Sequence, residues 1–267
     1  MVKYAMMGAG VRAEVGRIPP AEQERRIRCH QQALNDLLRA RVIAGRTGLI
    51  FVSVGLGPFH GGGGHTLSVG SRGGRRFRTD GPFPETKEVV GGFDIIDFAS
   101  REEAIEFGKL KNMHATHIEE IRPIREFWWI SHSPRLAEAN IFMLSSVEDG
   151  RAPSDLSPEE RKKIIRQHQA VGAEYVTRRG MVDGKPGLWV GVRLGPPAEA
   201  VTIRRDTGVP RLVDGPFSET RELLVGFNLI ACDSVDEAVG WAEKLTERDG
   251  DTIEVRPADG FWCVYHE

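Results

Sequence analysis

Short apolar runs alternate along this chain with longer stretches patterned for helix. The first half opens on Tyr4-Ala5-Met6-Met7 and the second on Ile141-Phe142-Met143-Leu144, both of strand length. A polar, proline-containing loop follows each. Next come two helical stripes: Ile27, His30, Leu34 and Leu37 at i, i+3, i+7 and i+10, and Ile164, His168, Val171 and Tyr175 at i, i+4, i+7 and i+11. The second helix has a marked start, with Ser157 as N-cap, Pro158 at the first position and Glu160 three residues after the cap. The first starts near Pro20, and Gly45 and Gly180 lie near the two helix exits. Runs rich in β-branched residues, Leu49–Val54 and Leu188–Val192, predict strands that each lead into Leu-Gly-Pro, at Leu56 and Leu194. Further strands are predicted at Phe93–Phe98 and Phe227–Ala231. Second helices begin at the capping boxes Ser100-Arg101-Glu102-Glu103 and Ser234-Val235-Asp236-Glu237. The last strands run through Ile118–Ile121 and Ile253–Val255, each followed by an aromatic tail.

The two halves thus read alike, and the residues say so directly. Asp80-Gly81-Pro82-Phe83-Pro84-Glu85-Thr86-Lys87-Glu88 returns as Asp214-Gly215-Pro216-Phe217-Ser218-Glu219-Thr220-Arg221-Glu222, at an offset of 134 residues. Gly92-Phe93, Arg122-Pro123, Phe127-Trp128 and His132 recur at the same offset as Gly226-Phe227, Arg256-Pro257, Phe261-Trp262 and His266. That period is far too long for a solenoid and matches a whole small domain. The expected division is 1–133 and 134–267. Each half has the order β-α-β-β-α-β, with room for an added small strand or hairpin, which is the ferredoxin-like arrangement.

Composition narrows the class. The 267 residues carry 40% hydrophobic and 28% charged side chains, ordinary for a globular protein. A net charge of −2 suggests no nucleic-acid or anionic-membrane partner. No apolar run approaches the roughly 18 residues needed to span a bilayer, and the N-terminal apolar run is too short for a signal peptide. Cys29, Cys232 and Cys263 occupy non-equivalent positions without metal-site spacing, which points to reduced thiols and a cytoplasmic protein.

The Asp-Gly-Pro-Phe-x-Glu-Thr-(Lys/Arg)-Glu stretch, followed by Gly-Phe and a Ser-x-(Asp/Glu)-Glu-Ala helix start, resembles the YCII-related family, also called the DGPF-domain family. Both halves carry it. The resemblance implies a dimeric α+β barrel in which two ferredoxin-like units pair their sheets, here within one chain, and an architecture similar to that of muconolactone isomerases. It also implies a His–Asp pair with the histidine on the first helix. His30 and His168 match the histidines, and Asp80 and Asp214 are the best matches for the aspartates. The insert Phe59–His65 and the Phe-Trp tails depart from the minimal family pattern and could reshape the pocket.

From the residues alone, His30 and His168 face inward on their stripes. Each is either a core histidine satisfied by a carboxylate or carbonyl, or a general base oriented by an aspartate. Asp80 and Asp214 precede Gly-Pro, so turn chemistry competes with histidine partnership. Glu85, Glu88, Glu219 and Glu222 are further acid/base candidates, or partners of Lys87 and Arg221 in loop salt bridges. Gly61–Gly64 lacks the Lys-(Ser/Thr) ending of a phosphate loop; with His60 and His65 it reads as a flexible hairpin tip that binds no metal. His114 and His117 read as surface residues. Trp128, Trp129 and Trp262 are packing residues or a pocket wall. No nucleotide, flavin or haem site is indicated.

The expectation is a small cofactor-independent acid/base enzyme of isomerase, lyase or dehydratase type, acting on a compact aromatic or lactone-like molecule. The alternative is a non-catalytic protein that binds a small molecule in the same cleft. A homodimer of the pseudo-dimeric chain is compatible with either. The two clefts are expected to differ, because Cys29 precedes His30 whereas Gln167 precedes His168, and the insert near the first favours it as the working site.

Overall fold

The computed structural model describes residues 2–11, 19–43, 50–56, 66–80, 88–111, 118–131, 140–149, 157–185, 187–205, 209–217, 222–246 and 250–265. The glycine-rich insert and the residues after Asp80 up to Lys87 lie outside that set, as do His114, His117, His132 and His266. In order, the chain forms β1 (Val2–Val11), α1 (Pro20–Ile43), β2 (Ile50–Leu56), β3 (Leu67–Arg72), β4 (Arg75–Asp80), β5 (Glu88–Phe98), α2 (Arg101–Lys111) and β6 (Ile118–Ser131). It continues with β7 (Ile141–Asp149), α3 (Pro158–Thr177), β8 (Leu188–Leu194), β9 (Val201–Arg204), β10 (Arg211–Asp214), β11 (Glu222–Ala231), α4 (Val235–Glu243) and β12 (Thr252–Tyr265). None of the described helices is long and apolar enough to cross a membrane.

Strand pairing closes a β-barrel. In the first half the antiparallel order is β2-β5-β1-β6, and in the second β8-β11-β7-β12. The ring closes because β6 also pairs with β8, and β12 with β2. Each closing strand changes partner at a proline. β6 pairs with β1 up to Pro123 and with β8 from Ile124; β12 pairs with β7 up to Pro257 and with β2 from Ala258. Proline has no N–H to give to a ladder, so it fits where one ladder ends and the next begins. The aromatic tails are therefore the barrel-closing segments of these strands. The hairpins are also shared across the halves: β3 of the β3–β4 hairpin lies on β12, and β9 of the β9–β10 hairpin lies on β6.

Alternation along the strands sorts the core into three layers. Phe93 and Ile95 point into the barrel with Val52, Val54, Val190 and Phe227, and the Phe93 and Phe227 ring centroids are 4.3 Å apart. On the outer face, Ile96 and Phe98 pack under α1 and α2 with Leu34 and Phe107. Ile230 and Trp189 pack likewise under α3 and α4 with Tyr175 and Trp241. The barrel interior is thus a core built by both halves at once.

Two reciprocal arginine contacts lock the halves. Arg122, buried, donates from Nη1 to the Leu224 carbonyl at 2.6 Å, and Arg256, also buried, donates from Nη1 to the Val90 carbonyl at 2.7 Å. Both carbonyls lie beside register shifts in β11 and β5, where the regular ladder is interrupted. The repeated Gly-Phe has a local cause there. A Cβ at Gly92 would come within 2.6 Å of the Val54 carbonyl oxygen, and one at Gly226 within 2.5 Å of the Val192 carbonyl oxygen.

Candidate functional site

His30 reaches the sheet from α1 above two cross-strand neighbours, Ser53 on β2 and Asp94 on β5. Its Nε2 lies 3.1 Å from Asp94 Oδ1 and 3.2 Å from Ser53 Oγ. The other Asp94 oxygen accepts from Lys111 Nζ, at the last residue of α2, and Lys111 also donates to Glu119 on β6. The four groups form one buried row, open at one end. The side chains of Asp94, Lys111 and Glu119 are 1%, 4% and 0% exposed, whereas that of His30 is 31% exposed.

Electrostatics assign the protons. Burial alone would raise the Asp94 carboxyl, but the charge of Lys111, that of His30 whenever its ring is protonated, and the hydrogen bonds of both outweigh it and hold Asp94 well below the usual carboxylate range. Burial would likewise lower the Lys111 ammonium, and Asp94 and Glu119 instead raise it. Asp94 is therefore an ionised acceptor, so His30 Nε2 must carry the proton it shares with Asp94. Among the described residues, Nδ1 has no hydrogen-bond partner. Ser53 meets the same nitrogen as Asp94. A serine nucleophile needs the aspartate on one ring nitrogen and the serine on the other, so this arrangement does not make Ser53 a nucleophile. It presents a carboxylate-held imidazole whose Nδ1 is the ring nitrogen turned away from Asp94.

The aspartate expected as histidine's partner is corrected by this geometry. Asp80 ends β4 and is exposed. Asp214 ends β10 with its side chain 96% exposed, 3.9 Å from Arg101. The second Asp-Gly-Pro-Phe turn instead clasps the other half. Gly215 has φ +95°, Thr202 Oγ1 donates to the Gly215 carbonyl at 2.8 Å, and the Phe217 N–H donates to Glu120 Oε2 at 3.0 Å. Glu120 also holds Arg122. The contacts of the second turn are thus made by its backbone and not by the Asp214 carboxylate, and the turn after Asp80 lies outside the described residues.

His168 is half-buried on α3. Below it, the positions matching Ser53, Asp94, Lys111 and Glu119 are Gly191, Asn228, Leu245 and Ile253. Leu245, Ile253 and Asn228 are buried, and Asn228 Oδ1 has no hydrogen-bond partner among the described residues. Trp128, paired with Gly191 across β6 and β8, lies over that glycine. A Cβ on Gly191 would fall 1.8 Å from Trp128 Cε2. The indole thus takes the space that the Ser53 side chain takes in the first half. Gly191→Ser should therefore expel Trp128 and destabilise the chain by about 1–3 kcal/mol. Urea unfolding followed by tryptophan emission checks this; an unchanged midpoint would show that the indole is not confined there.

A profile of the YCII-related domain matches residues 12–128 and again 144–259. The chain belongs to the YCII-related family. It is 37% identical over 119 residues to an uncharacterized protein of Rhizobium meliloti (strain 1021), a match that spans 44% of this chain and 90% of that protein. Among solved structures, it is similar to a putative chlorite dismutase at 8% identity and a TM-score of 0.43, over 97% of this chain and 95% of the other.

Asp94, Lys111, Glu119 and Ser53 were not singled out by the sequence reading. The comparison of the halves held a signal: Gly92-Phe93 is followed by an acid, Asp94, and Gly226-Phe227 by the neutral Asn228.

Proposed function

We propose that this YCII-related chain is a proton-transfer enzyme with one working site, at His30. Two ferredoxin-like units, 1–133 and 134–267, would pair as an intramolecular dimeric α+β barrel and present that site on the first unit. The observation that carries the reading is the hydrogen bond between half-exposed His30 and fully buried Asp94. In this scheme Nδ1 removes a proton from a compact substrate with an acidic carbon or hydroxyl, such as a lactone or an enolisable carbonyl compound. The imidazolium formed lies against the Asp94 carboxylate and returns the proton to a different atom of the substrate. The net outcome is isomerisation, or elimination where a leaving group lies next to the carbanion. A protein that only binds such molecules would use the same cleft.

The test follows the proton rather than the product. Deuterium exchange from heavy water into a panel of small lactones and enolisable carbonyl acids should be catalysed by the intact chain. His30→Ala should lower the exchange rate by about 10²–10⁴-fold, the range of general-base contributions, while His168→Ala should leave it within a factor of about two. Exchange that depends on His168, or ligand binding with no exchange at all, would defeat the enzyme reading.

A further inference from the structure

We propose that Lys111, held by Glu119, is the positioning residue of the His30 site: it keeps the imidazole proton on Nε2 so that Nδ1 stays open to substrate. This deepens the reading of His30 as the base and rests on it. Lys111 does not face the open end of the row. It is buried behind Asp94, between that carboxylate and Glu119, and so acts on the imidazole only through Asp94.

The second half supplies an internal comparison. A buried carboxylate needs a cation, and a buried ammonium bridging two carboxylates needs both. If the three buried charges behind the histidine are one unit, they should be kept or lost together. At the matching positions Asp94, Lys111 and Glu119 are replaced as a set by Asn228, Leu245 and Ile253, all neutral and buried. Gly191, where the first half has Ser53, lies under the Trp128 indole contributed by the first half. Loss of the three charges goes with loss of the serine beside them.

The chemistry of the step is a proton's position. With Lys111 present, Asp94 is a pure acceptor and the neutral imidazole donates through Nε2. Without the cation, the buried Asp94 has, among the described residues, only His30 to compensate it. Either the carboxyl takes up a proton and donates it to Nε2, which moves the imidazole proton to Nδ1, or the imidazole holds protons on both nitrogens. Both routes protonate Nδ1 and close the base.

Nitrogen-15 resonances of the histidine rings near neutral pH read this directly, with His30 assigned by its loss in His30→Gln. The intact chain should show an unprotonated Nδ1 and a protonated Nε2. Lys111→Leu combined with Glu119→Ile places in the first half the pair that already packs in the second, and should move Nδ1 to the protonated position. Lys111→Gln, nearly isosteric but uncharged, should do the same, and Lys111→Arg should retain the pattern of the intact chain. An unprotonated Nδ1 in either charge-removing variant overturns the positioning role. A protonated Nδ1 in the intact chain overturns the assignment of His30 as base instead, so the two failures are distinct.

Discussion

Lys111→Met should lower the stability of the folded chain by about 3–5 kcal/mol, the range for removing one partner of a buried charge network. The substitution leaves Asp94 and Glu119, both nearly devoid of solvent contact, without the cation they share. Leu245→Met, at the matching position of the second half, should cost less than about 1.5 kcal/mol, because it conserves volume in an apolar site. Chemical denaturation of both variants measures the contrast, and equal losses would contradict a charge-based account. The cost should also depend on pH in a defined way. Asp94 is held below the ordinary carboxylate range, so its contribution is present above the unfolded value of about 3.9 and is lost as pH falls further. Lys111 is raised, so its contribution is present below the unfolded value of about 10.4 and is lost as pH rises through the folded value. In the intact chain these two contributions should be flat between about pH 4 and about pH 10 and shrink outside that window.

Residues 1–133 expressed alone should not give a folded monomer. Phe93, Ile95, Val52 and Val54 form one core with Val190, Val192, Phe227 and Leu229 from the other half. Without that half they would present an apolar face larger than the few hundred Å² that soluble monomers usually expose. The same truncation strands backbone groups. β6 from Ile124 onward loses β8, β2 loses β12, β3 loses β12, and Arg122 loses the Leu224 carbonyl. Size-exclusion chromatography with circular dichroism decides the matter, and a monomer with a cooperative unfolding transition would refute the shared-core account.

Much of the architecture was legible because it rests on local rules. The capping serine at Ser157 and the glutamate at Glu160 satisfy each other's N–H groups as the pattern required. The paired apolar runs became β1 and β7, and the stripe that turned His30 inward placed Leu34 in the core. The identical order of elements in the two halves followed from the repeat alone.

What the sequence left open depended on neighbours remote in the chain. That Phe127-Trp128 and Phe261-Trp262 continue as strands was hidden by Pro123 and Pro257. Read locally, each proline ends a strand; in three dimensions it marks the change from one ladder to the next. The site was hidden in the same way. Asp80 begins a repeated motif, yet in the second copy it is the Phe217 N–H that clasps the opposite half, through Glu120, and not the aspartate. The carboxylate that meets His30 lies 64 positions away on β5, and the lysine behind it a further 17. The sequence determined the repeat, the elements and the inward histidines, because capping, periodicity and propensity act within a few residues. Only the tertiary structure decided that Asp94 meets His30 and that Trp128 lies over Gly191, because burial and charge compensation depend on what the whole fold brings together.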